Sequence, residues 1–165
     1  MKNLCGIVLL GLFFCSCAQI NTPELSMVIP SENTSVKELT DSESFKLEIS
    51  TTMENQQKAW NSGSLDQFMI GYWKSDSLKF IGKSGLNYGW EQTLSNYQKS
   101  YPTADSMGVL QFNNISIELL DKNAALVVGK WTLFRDVLGD TLAGHYSLNW
   151  KLIQGKWVII ADHSS

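Results

Sequence analysis

Four polar residues in this chain have side chains that could act on a small molecule or hold it. Two of them, Tyr146 and His163, lie on apolar-rich runs that flank the turn Gln154-Gly155. Counting outward from this turn pairs Tyr146 with His163 on one face of a hairpin. A neutral imidazole titrates near neutrality, so the pair could serve as acid and base. The alternative is a buried hydrogen bond that only holds the end of the sheet.

The other two candidates are charged. Asp76, near the predicted first strand, is the best candidate for a catalytic carboxylate. Arg135 could clamp a ligand carboxylate through two parallel hydrogen bonds, or it could be a solvated arginine at a hairpin tip. In the predicted register Asp162 alternates away from His163, so we expect no Asp-His dyad. His145 and His163 fall on opposite faces, which predicts no metal site; no cofactor is predicted either.

Aromatic residues could form the wall of a binding site. If Val137 pairs with Asp140, then Trp131, Tyr146 and His163 form one row across three strands. Such a pocket suits a small, partly apolar molecule that carries a carbonyl, hydroxyl or carboxylate group. The alternative is that these aromatic residues simply form the core. The candidate wall consists of Tyr72, Trp90, Tyr97, Trp131 and Trp150.

Helical periodicity indicates which elements precede these strands. Apolar residues at three- and four-residue spacing predict a helix over residues 42–61, which the pair Ser62-Gly63 ends. Ser64 and Gln67 form a capping pattern for a short second helix. A third helix is predicted over residues 90–101, after a strand at 76–83 and a glycine-containing loop.

The second half of the chain is patterned as long strands. Strands are predicted over residues 109–120, 124–136 and 141–152, followed by the last strand after Gly155. The turns between them predict one shared inner face, on which Ile115, Ile117 and Leu119 lie, with Gln111 and Asn113 further along. The opposite face would carry an apolar patch. Because a monomer would expose this patch to water, we expect a homodimer through the sheet. This patch consists of Val128, Thr132, Phe134, Val158 and Ile160.

The order of these elements resembles a known superfamily. The matching residues are Trp60-Asn61-Ser62-Gly63 with Leu65, residues 72–80, Gly89-Trp90, Gly129-Lys130-Trp131, residues 144–150 and residues 155–164. Over residues 41–165 the chain resembles the nuclear transport factor 2 superfamily. The similar branch includes the SnoaL-like polyketide cyclases, ketosteroid isomerase and the association domain of calcium/calmodulin-dependent protein kinase II.

The resemblance implies an α+β fold in which a curved antiparallel sheet forms a cone over three N-terminal helices. It also implies frequent dimerisation through the sheet. Enzymes of the superfamily mostly use an Asp or Glu base, or an Asp/His pair, with Tyr or protonated Asp donors. Because unrelated activities share this fold, the resemblance alone does not assign one.

The first 40 residues predict the location of the protein in the cell and not part of its folded domain. Lys2 and an apolar run over residues 4–14 form a signal-peptide pattern, and Ser16-Cys17 resembles a bacterial lipobox. We therefore expect a signal peptide at residues 1–16, a lipid on Cys17 and a flexible tether over residues 17–40. This predicts a lipid-anchored protein of the bacterial cell envelope, on its periplasmic side. All 3 cysteines lie in the leader region, so the domain has no disulfide.

Three functions remain open from the sequence. The first is a lipid-anchored domain that binds a small, partly apolar molecule. The second is an enzyme of the isomerase, dehydratase or cyclase type that uses His163 and Tyr146. The third is a structural domain that assembles through the sheet. A net charge of −3 without a basic cluster makes nucleic acid an unexpected partner.

Overall fold

The computed structural model of the protein describes residues 41–165, with side chains from residue 43 onward. The predicted signal peptide, the tether and the lipidation site Cys17 lie outside the described residues. Within residues 41–165, no helix combines the length and the apolar character that a membrane crossing requires.

Four helices and one 3₁₀ turn precede the long strands. Helix α1 spans Asp41–Asn61, and its apolar residues at three- and four-residue spacing are buried as predicted. Helix α2 spans Leu65–Phe68, where the Ser64 hydroxyl accepts from the backbone N–H of Gln67, and a 3₁₀ turn spans Met69–Gly71. Helix α3 spans Trp90–Ser100. A short helix α4, Ala104–Met107, was not predicted.

Six strands form one mixed sheet in the order β2-β1-β6-β5-β4-β3. Strand β1 runs parallel to β6, and all other neighbours are antiparallel. The predicted glycine-containing loop is wrong in part, because Gly85–Tyr88 pairs with β1 as a second strand. The strands are β1 Lys79–Gly82, β2 Gly85–Tyr88, β3 Val109–Asp121, β4 Ala124–Arg135, β5 Asp140–Ile153 and β6 Lys156–Ser164.

A β-bulge changes which residues of β6 face inward. The turn Gln154-Gly155 has positive φ at both residues, and Trp150 pairs with Ile159 as predicted. Beyond this pair Asn149 pairs with Ala161, so Ile160 is an extra residue in β6. Tyr146 therefore pairs with Ser164, and the predicted pairing of Tyr146 with His163 is wrong.

The other two hairpins also differ from prediction. Four residues, 136–139, connect β4 and β5, so Trp131 pairs with Gly144 and not with Tyr146. The predicted row of Trp131, Tyr146 and His163 does not exist. In β3 the register shifts at Ile115, which is 62% exposed, and Phe112 rather than Gln111 or Asn113 shares a face with Trp131.

The side chains of α1 cover part of the β3 edge of the sheet. Asn61 accepts from the backbone N–H of Leu110 at 2.7 Å and donates to its carbonyl at 3.0 Å. Gln57 accepts from the backbone N–H of Phe112 at 2.7 Å. These bonds occupy backbone groups that an open edge would present to another strand. They also fix α1 against the inner face, and the predicted α+β cone is confirmed.

Candidate functional site

The cone contains a cavity of about 890 Å³ between the inner face of the sheet and the helices. Its floor is formed by buried residues of α1, α2 and the strands, whereas its mouth is formed by exposed residues. The floor includes Met53, Trp60, Phe68, Tyr72, Leu148, Ile159 and Asp162. The mouth includes Lys83, Ser84, Lys99, Ser100, Thr141, Ala143 and Ser165.

Four of the nine candidate site residues line this cavity. They are the aromatic residues Tyr72, Tyr97, Trp131 and Tyr146. The indole Nε1 of Trp131 is buried without a hydrogen-bond partner among the described residues.

The remaining aromatic candidates serve the core. Trp90 Nε1 donates to the carbonyl of Met69 at 3.0 Å, and Lys74 Nζ lies 4.8 Å from the Trp90 ring centroid. Trp150 is 1% exposed and packs within the core. Neither tryptophan lines the cavity, so their prediction as wall residues is wrong.

The remaining three candidates also lie outside the cavity. His163 is exposed because the bulge at Ile160 places it on the outer face. Arg135 forms a bidentate ion pair with Asp140 at the hairpin tip. Asp76 is exposed ahead of β1 and does not reach the cavity. Their predicted placement in the site is therefore wrong.

The carboxylate in the cavity belongs to Asp162, although the predicted register places this residue on the outer face of the sheet. Asp162 is 3% exposed. The Tyr72 hydroxyl donates to its Oδ2 at 2.7 Å, and the Ser164 hydroxyl donates to its Oδ1 at 2.6 Å. No pattern in the nearby sequence indicates that Asp162 faces inward and not outward, because its direction depends on the β-bulge at Ile160.

Burial dominates the electrostatics of this cluster. It raises the pKa of Asp162, and the hydrogen bonds from Ser164 and Tyr72 partly offset the effect. Burial also holds the pKa of Tyr72 well above its usual value, and the nearby Asp162 carboxylate raises it further. The pKa of Tyr97 is raised well above its usual value for the same two reasons. Both phenols are therefore protonated at neutral pH.

Tyr146 occupies the next position of the inner face. Its hydroxyl donates to Oδ1 of Asn114 at 2.6 Å. It lies across from Gly129, where any β-carbon would collide with the Tyr146 hydroxyl. Burial raises the pKa of Tyr146, with a smaller contribution from Asp162. Tyr146 thus stays neutral, and it lines the cavity while its hydroxyl is bonded to Asn114.

These groups make the floor rich in hydrogen-bond acceptors. An ionised carboxylate has about four lone-pair sites, and two of those on Asp162 are used. A bound hydroxyl or amine could donate to the remaining sites. Among residues 43–165, no three His, Cys, Asp or Glu side chains are arranged to hold a metal ion. The arrangement suits binding of a polar end or transfer of a proton.

We expect Asp162→Asn to remove a pH-dependent part of the stability. Because the folded-state pKa of Asp162 lies above its usual value of 3.8, folding takes up a proton between these two values. The contribution is fully present below the unfolded pKa and is lost as the pH rises through the raised folded pKa. The unfolding free energy of the wild type minus that of the variant should fall across this window. Denaturant titrations at several pH values measure it, and a difference that rises with pH would contradict it.

The fold and the cavity define the class of protein as an α+β cone with an open pocket. Comparison with proteins of known structure agrees with this class. A nuclear transport factor 2-like protein of unknown function from Shewanella oneidensis MR-1 is 41% identical, with a TM-score of 0.69. The match covers 73% of this chain and 98% of that one. The chain therefore belongs to the nuclear transport factor 2-like family.

More distant structures share the fold alone. A superfamily protein from Salmonella enterica serovar Typhimurium LT2 has 20% identity and a TM-score of 0.59, over 75% of this chain and 92% of that one. A calcium/calmodulin-dependent protein kinase II association-domain protein from Xanthomonas campestris has 17% identity and a TM-score of 0.56, over 72% and 84%. No protein-family model and no curated protein matches the chain.

Proposed function

We propose that the domain binds a small, partly apolar molecule inside the cone. The observation that carries this proposal is the cavity of about 890 Å³, whose lining includes nine aromatic residues and whose floor carries Asp162. This volume lies within the range of about 300–1,000 Å³ that is usual for small-molecule sites. A core without a binding function would fill such a space with side chains.

The polar floor supports one orientation of the ligand. Asp162 offers unused acceptor sites beside Tyr72 and Ser164, so the inner end of the ligand carries a donor such as a hydroxyl or amine. The walls above it present the rings of Phe112, Tyr97 and Trp131 to the body of the ligand. Aromatic walls with few polar groups are typical of sites for partly apolar molecules.

Native mass spectrometry of protein purified from its own host tests this proposal. Leu142 is half-buried and lines the cavity, so Leu142→Trp should fill the entrance, whereas Leu142→Ala should widen it. We expect a bound mass on the wild type and on Leu142→Ala, and none on Leu142→Trp. Wild-type protein without a bound mass, or a mass that Leu142→Trp retains, would contradict the proposal.

An isomerase or dehydratase activity is the second candidate, and the buried Asp162 supports it. Its raised pKa suits a carboxylate that takes and returns a proton, and the hydrogen bond from Tyr72 would stabilise its charged form. Asp162 replaces His163 in this role, since His163 lies on the outer face. The test is Asp162→Asn, which should abolish turnover while a substrate still binds.

We also propose that two copies associate through the outer sheet face, defined by Val128, Thr132, Phe134, Val158 and Ile160. Phe134 is 39% exposed, and the other four side chains are half-buried in the single chain. Phe134→Glu should give a monomer, because a buried unpaired charge opposes association. Ile70→Glu is the matched control, since Ile70 is an exposed apolar residue of the 3₁₀ turn. Light scattering at micromolar concentration measures the mass, and a monomeric wild type would refute the dimer.

A further inference from the structure

Two lysines line the mouth of the cavity on one side. Lys83 lies in the turn between β1 and β2, and Lys99 lies in the last turn of α3. Both side chains are exposed, and the polar side chains beside them are Ser84, Asn87, Asn96 and Ser100. The hairpin and the helix pack together through Phe80 and Tyr97, whose ring centroids lie 5.6 Å apart. They therefore bring two cations to one rim, although the lysines are separated in sequence.

No described side chain neutralises these two cations. Neither Lys83 nor Lys99 forms an ion pair among residues 43–165, where the recorded pair joins Arg135 to Asp140. Among the residues that the structure describes, Asp162 is the one acidic side chain that lines the cavity, and it is buried at the floor. Ser165 directly follows β6, the strand between β1 and β5, and its backbone forms hydrogen bonds with His145 of β5.

The positive rim is a local feature and does not follow from composition. The formal net charge of the chain is −3, so an average patch of surface is slightly acidic. Lysine side chains are long and flexible, and their ammonium groups can converge on a bound anion while their stems contact apolar surface. The cavity thus combines aromatic side chains in its interior with two cations at its entrance that form no ion pair with a described side chain.

We infer that the ligand is an amphiphilic anion, with an apolar body in the cone and a carboxylate, sulfonate or phosphate group between Lys83 and Lys99. This inference rests on the proposed binding function and adds the charge and orientation of the ligand. The rim favours anions and disfavours cations of the same shape. An exposed ion pair contributes little by itself, so the apolar body supplies most of the affinity.

Two fluorescent probes with the same aromatic body separate charge from apolar contact. Anilinonaphthalene sulfonate carries one negative charge, whereas phenylnaphthylamine is neutral. Titration of the full-length protein with each probe gives two dissociation constants. We expect the Lys83→Gln/Lys99→Gln double variant to weaken sulfonate binding about 3- to 10-fold and to leave the neutral probe unchanged.

A matched charge control is available elsewhere on the chain. Lys122 and Lys156 are exposed at two other hairpins, and neither lines the cavity. The Lys122→Gln/Lys156→Gln variant has the same net charge as the rim variant, so it should bind both probes as the wild type does. Raising the ionic strength from about 0.01 M to about 0.15 M shortens the Debye length from about 30 Å to about 8 Å and should reduce only the effect of the rim.

The outcomes distinguish this inference from the proposed function. Equal sulfonate affinity in the rim variant and the wild type, or equal weakening in both charge variants, overturns the inference alone. In that case the neutral probe still binds, and Leu142→Trp still blocks it. If neither probe binds the wild type, or if Leu142→Trp binds both normally, the proposed cavity function fails as well.

Discussion

Replacement of Trp60 by alanine is expected to lower the unfolding free energy by about 3–5 kcal/mol. Trp60 is 4% exposed, and its ring meets the edges of Phe68, Tyr97 and Tyr101 at centroid distances of 5.2, 5.8 and 4.9 Å. Its Nε1 donates to the carbonyl of Met107 at 3.1 Å. The change removes one of the contacts between α1 and the helices α2, α3 and α4. Small domains are stable by only about 5–15 kcal/mol, so the loss is a large part of the total.

Trp60→Phe is the control that separates packing from hydrogen bonding. It keeps an aromatic ring but leaves the buried Met107 carbonyl without its donor, which should cost about 1–3 kcal/mol. Urea denaturation followed by circular dichroism measures both variants. A loss below about 1 kcal/mol for Trp60→Ala would show that the aromatic cluster repacks around the missing ring.

Cys17→Ser is expected to move the protein from the membrane fraction to the soluble fraction, or to block its maturation. The reason is covalent: a serine hydroxyl cannot accept the thioether-linked lipid that the lipobox pattern Ser16-Cys17 predicts. Each buried methylene of an acyl chain contributes about 0.8 kcal/mol, so losing several chains removes stable anchoring. Fractionation of cells followed by intact mass measurement gives the result.

Cys15→Ser is the matched control for this experiment. Cys15 follows the bulky Phe14, which makes it a poor lipobox cysteine, so its replacement should leave membrane association unchanged. If Cys17→Ser is processed and fractionates with membranes as the wild type does, the proposed anchor is wrong.

Local patterns in the sequence determined most elements of the fold. Apolar residues at three- and four-residue spacing predicted α1 and α3 to within one residue, because one helix face must be buried. The turn Gln154-Gly155 fixed the nearby pairing of Trp150 with Ile159, since its conformation aligns the residues next to it. These features depend on neighbours in sequence, so they are visible without the structure.

Tertiary structure decided on which face of the sheet the polar candidates of β6 lie. The extra residue Ile160 lies where Tyr72 and then β1 approach β6, and the strand accommodates these neighbours and the curvature of the sheet. A one-residue shift exchanges the two faces of a strand, so it placed Asp162 inside the cone and His163 outside. No residue near the bulge signals its position.

Which residues lie at the mouth of the cavity was likewise decided by the packing of elements that are distant in sequence. Lys83 and Lys99 belong to a hairpin and a helix that meet only when the sheet curves over the helices. The alternation of apolar and polar residues predicts which face each residue of a single strand occupies. It does not predict a cavity, because a cavity depends on the distances between elements. The sequence therefore determined the elements and the fold class, and the curvature of the folded sheet determined the chemistry of the cavity.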